Sequence, residues 1–123
     1  MAVDVYIQEA AKRLRDAAGA LRDDIHATQS EAYRAGVQLH NEIAQAEVAH
    51  AEIHAELRLE PDNRRRAALE ARLHQLEAEI RDKKAQFSKN DSDAARTVQQ
   101  KNDLIANIES FIGRLESLAI SSR

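Results

Sequence analysis

The chain has 123 residues with 18 basic and 21 acidic side chains, no cysteine and only 3% aromatic residues. This length leaves room for one domain, and a composition so charged and so poor in aromatics belongs to long helices rather than to a mixed fold. A net charge of −3 argues against a protein built mainly to neutralise nucleic-acid phosphates, and the absence of cysteine removes disulfides, thiolate nucleophiles and cysteine-ligated zinc.

Met1 to Val5 lacks a basic segment followed by an apolar run, so no signal peptide is expected. Nowhere do 18 apolar residues follow one another, so no membrane span is expected and the default is a cytoplasmic chain.

A first helical arm is predicted over 2–60. Its apolar residues recur in steps of three and four through Ile7, Ala11, Leu14, Ala18, Leu21, Ile25, Thr28, Ala32, Gly36, Leu39, Ile43, Ala46, His50, Ile53 and Leu57. That is a near-heptad seam with one additional four-residue step, from Thr28 through Ala32 to Gly36, where a supercoil locally unwinds. Gly19 and Gly36 each cost about 1 kcal/mol relative to alanine, but neither has a turn cluster beside it, so the helix is read as continuous. Pro61, the only proline, then ends it by pushing Glu60 out of the α region, with the turn placed at 61–63. Asp62 or Asn63 is the expected cap of the next helix.

The second arm, predicted over 64–120, carries Leu69, Leu73, Leu76, Ile80, Lys83, Phe87, Asp91, Ala94, Val98, Lys101, Ile105, Ile108, Ile112, Leu115 and Ala119 as its seam. Ser88 to Asp93 is locally poor helix because short polar side chains compete for the backbone. The arm therefore either runs straight through, as the continued phase favours, or breaks near 88–92 to give a third helix and a three-helix bundle. Folding the arms about Pro61 sets residues whose numbers sum to about 123 opposite one another. Gly36 then faces Phe87, Ala18 faces Ile105 and Ala11 faces Ile112, small against large. The charges agree with pairing: Met1 to Glu60 holds six basic and eleven acidic residues, Pro61 to Arg123 twelve and ten. The fold class expected is all-α, a long antiparallel coiled-coil-like hairpin turning at Pro61.

Near the termini a second apolar stripe runs beside the seam through Leu104, Phe111 and Leu118, with Val3, Tyr6, Ala10 and Ala17 as its counterpart on the first arm. A two-stranded seam cannot bury both stripes, and a broad apolar face calls for more helix to cover it. A second copy, closing a four-helix bundle by two-fold symmetry, is the simplest cover.

Three other classes are weighed. Glu47, His50 and His54 share one helical face, and the register brings His74 across from His50, so imidazole and carboxylate donors for a divalent metal such as zinc are present in sequence. The paired Glu-x-x-His pattern of di-iron bundles is not met, and paired histidines in a helical seam also serve as plain polar register pins or pH-sensitive spots. Arg58, Arg64, Arg65, Arg66 and Arg72 concentrate positive charge at the turn, where an acidic partner protein, nucleic acid or an anionic membrane surface can meet it; without interleaved aromatics, nucleic-acid binding is the weaker of these. For catalysis there is no glycine-rich phosphate loop, nucleophile elbow or cysteine. The expectation is a non-enzymatic structural or interaction module without a cofactor, self-associating as a homodimer and binding another protein as adaptor, spacer or chaperone-like arm, with the metal-binding bundle and the nucleic-acid-binding tip as alternatives.

Overall fold

A computed structural model describes residues 2–121, and within them the chain forms two helices, α1 (Ala2–Leu59) and α2 (Asn63–Ser121). They are joined by Glu60, Pro61 and Asp62, so the fold is an all-α helical hairpin. The turn is one residue earlier than the sequence suggested, because Asp62 acts as the cap and Asn63 is already helical. Asp62 Oδ1 accepts the amide of Arg64 at 3.3 Å, and its carbonyl oxygen accepts the amide of Arg66 at 2.9 Å, the first intrahelical bond of α2. Glu60 Oε1 in turn accepts the amide of Asp62 at 3.1 Å.

As the continued phase favoured, α2 runs unbroken through Ser88 to Asp93, and among the described residues there is no third helix. Contacts with α1, beside that stretch and within it, give the physical reason. Phe87 and Ala94 keep it against α1, and Asn90 Nδ2 donates to the carbonyl of Ala32 at 3.3 Å, so a weak helix former is anchored by the opposite helix. Tertiary contact overrides the local propensity. The same bond corrects the seam, in which Asp91 is exposed and Asn90 half-buried. An amide can donate to a main-chain oxygen already engaged in its own helix, because that oxygen has two lone pairs; a carboxylate at the same place has nothing to donate.

Along α1 the seam is as read. Every seam residue from Ile7 to Leu57 is buried or half-buried, and Ala11, Ala18, Ile43, Ala46, Leu73, Leu76, Ile105 and Ile112 form the core shared with α2. Lys83 and Lys101 lie in the seam of α2, yet each sends its ammonium outward, to Glu42 at 3.0 Å and to Asp24 at 3.8 Å. Their methylene stems cover apolar surface while the charge stays solvated and paired.

Packing divides the chain into two compact units, a terminal unit of Met1–Glu31 with Asp93–Arg123, and a turn unit of Ala32–Ser92.

Candidate functional site

In the terminal unit the two flanks of the seam differ in chemistry. Residues that follow a seam position occupy one flank. There Arg15 and Arg22, after Leu14 and Leu21, pair with Glu116 and Glu109, which follow Leu115 and Ile108. Residues that precede a seam position occupy the other flank. Val3, Ala10 and Ala17 on α1 stand there beside Leu104, Phe111 and Leu118 on α2. Phe111 and Leu104 are each 51% exposed and Leu118 58%, and Tyr6, on the outer edge of α1, is 72% exposed. Ala10 is half-buried and Ala17 exposed. The apolar stretch is bounded by the Lys101–Asp24 ion pair, where the same flank turns polar. All seven residues of the expected stripe thus lie on or beside one flank, while the Arg15–Glu116 and Arg22–Glu109 pairs lie on the opposite one, a segregation that periodicity alone did not indicate.

The turn unit contains the other two groups. At the turn the five arginines do not act alike. Arg66 is half-buried, and its Nη1 donates to the carbonyls of Leu57 at 3.1 Å and Glu60 at 3.0 Å. Both carbonyls lie where α1 ends, that of Leu57 also accepting the amide of Glu60 at 3.4 Å, and a cation is favourable there. The apparent cost of an arginine in the first turn of α2 is thus offset by its position at the last turn of α1, and Arg66 braces the turn. Arg65 lies 3.9 Å from Glu60, and Arg58, Arg64 and Arg72 are exposed, Arg72 reaching Gln75 at 3.5 Å.

The four proposed metal ligands do not converge. Glu47 turns to Lys84 at 3.3 Å, and the rings of His50 and His54 stack with centroids 6.4 Å apart. His50 Nε2 donates to Glu77 Oε1 at 3.2 Å, while His74 Nδ1 lies 3.5 Å from Glu77 Oε2. Among the described residues no group of three or more histidine or acidic side chains is placed to hold a metal ion. The physical reason is the flanking geometry: a lysine across the seam claims Glu47, and Glu77 sits between two imidazoles as their acceptor. Glu77 was absent from the ligand set expected from the sequence, although its position one turn after His74 was a usable signal. The hydrogen bond from His50 is the main cause holding its carboxyl below the usual value, with burial opposing and His74 adding to it. Glu42 is lowered likewise, first by its hydrogen bond from Lys83 and then by that from Gln38. Beside this cluster Phe87, Ile43, Ala44, His40, Lys84 and Ser88 line an open groove of about 450 Å³ that also touches Glu47.

The class defined by these features is a helical hairpin with one ion-paired and one apolar flank in its terminal unit. Among the described residues no helix is long and apolar enough to cross a membrane. Compared with protein-family models, with curated proteins and with solved structures, the chain matches none.

Proposed function

We propose that this chain is a non-enzymatic interaction module, a coiled-coil hairpin that associates with a second copy through the apolar flank of its terminal unit to form a four-helix bundle. The observation that carries the reading is the contrast between flanks. Solvent accounts for a flank of ion pairs, whereas Leu104, Phe111, Leu118, Val3 and Tyr6 gather on one side without cover, where only isolated apolar residues need no explanation. On this reading the dimer presents its turn units, with Arg58, Arg64, Arg65 and Arg72, to a further protein partner of acidic character, and serves as adaptor, spacer or chaperone-like arm.

The test is light-scattering mass of the native chain and of a variant carrying Leu104→Asp and Phe111→Asp. Both positions lie outside the core, so the variant is expected to stay helical by circular dichroism. A dimer that becomes a helical monomer supports the reading; a monomeric native chain, or an unchanged dimer in the variant, sinks it.

A further inference from the structure

On the apolar flank the two helices contribute unequal sizes. α1 presents Ala10 and Ala17, with Ala20 and Ala27 exposed further along, while α2 presents Leu104, Phe111 and Leu118. Two copies laid face to face can place α1 on α1 and α2 on α2, or each α1 on the α2 of the other copy. The first choice sets alanine on alanine and phenylalanine on phenylalanine, leaving one half underfilled and the other crowded. The second sets small on large at the centre of the flank, where Ala10 and Ala17 meet Phe111 and Leu104, while Val3 and Tyr6 add apolar surface beside Leu118 at its end.

Resting on the self-association reading, we propose that the two copies pair α1 on α2 about a two-fold axis running parallel to the helices. Every neighbouring helix is then antiparallel, and residues at one level of one copy meet the same level of the other. Ala17 lies against Leu104 of the second copy, and Ala10 against Phe111.

Charge on the rim agrees with this choice. Arg114, at the outer edge of α2, falls at the level of Tyr6 and Glu9 on the α1 that covers it. Among the described residues neither Arg114 nor Glu9 has an ion pair. The arrangement supplies each with an opposite charge, and Arg114 with an aromatic face.

The chain has no cysteine, so a single spin label is unambiguous. Ser30, exposed on α1 in the terminal unit, is replaced as Ser30→Cys, and the label-to-label distance is read by pulsed electron resonance together with solution mass. With copies level, bundle width sets the separation, below about 30 Å; with copies reversed about the apolar flank, the labels lie more than about 45 Å apart along the helices. A dimer with the short distance is expected. A dimer with the long distance overturns this arrangement and leaves self-association standing, whereas a monomer overturns both.

Charge reversal gives a second readout. Arg114→Glu is expected to raise the dimer dissociation constant about five- to tenfold at low salt, and adding Glu9→Arg to restore it to within about threefold. Failure of the double reversal to restore affinity refutes the pairing of Arg114 with Glu9.

Discussion

Phe87 Cε2 would lie 3.5 Å from a β-carbon built on Gly36, an ordinary van der Waals distance across the hairpin. The glycine is therefore not demanded by a steric conflict, and its helix carries a propensity cost without a compensating close approach. Gly36→Ala is expected to raise stability by roughly 0.5–1 kcal/mol, and Gly113→Ala, where nothing lies within 4 Å, by a similar amount. Urea denaturation followed by helical signal checks both; a loss of stability at Gly36 would show that Phe87 packs more tightly than this geometry allows.

Arg66 is expected to be the one arginine at the turn whose removal costs appreciable stability. Arg66→Ala leaves the carbonyls of Leu57 and Glu60 without their charged donor, at about 1–2 kcal/mol, whereas Arg64→Ala or Arg72→Ala stays within about 0.5 kcal/mol. Amide exchange in the last turn of α1 provides a local readout, since that turn should open faster in the Arg66 variant alone.

Glu77 and Glu42 make acid stability directional. Each has its folded value held below the ordinary 4.5, so each contributes stability that is present above that value and is lost as the pH falls through the lowered one. Stability should therefore decline as pH drops below about 4.5, with no gain from these two groups on further acidification. His50→Ala removes the largest cause at Glu77, and Lys83→Met the largest at Glu42. Carboxyl NMR titration should show Glu77 moving up in the first variant and Glu42 in the second, each without the other.

Zinc provides a check on the histidine flank. With Glu47 paired to Lys84 and Glu77 accepting from His50, added zinc is expected to leave the melting temperature within about 1 °C, and His50→Ala to change nothing in that comparison. A stoichiometric zinc-dependent rise, lost in His50→Ala, would instead favour the metal-binding alternative.

The hairpin was largely legible in the sequence because its two signals are local. Apolar residues every three to four positions specify a helix face, and a lone Pro61 beside Asp62 specifies where the chain reverses. The pairing of Gly36 with Phe87 followed from those two facts once the register was chosen to set small residues against large ones. What required the tertiary structure were the matters settled across the seam. Asn90 displaces Asp91 from the seam because the opposite helix offers it the carbonyl of Ala32, and that contact helps keep α2 unbroken through a stretch that propensity alone would terminate. Arg66 caps α1 although it is written in α2, and Glu47 leaves the histidines for Lys84. Likewise Arg15 and Arg22 find Glu116 and Glu109 on one flank, and so leave Phe111 and its neighbours as the uncovered side of the other. Periodicity along one helix says which face is apolar; which polar groups meet depends on the azimuth of the second helix, and a single-helix pattern does not contain that angle.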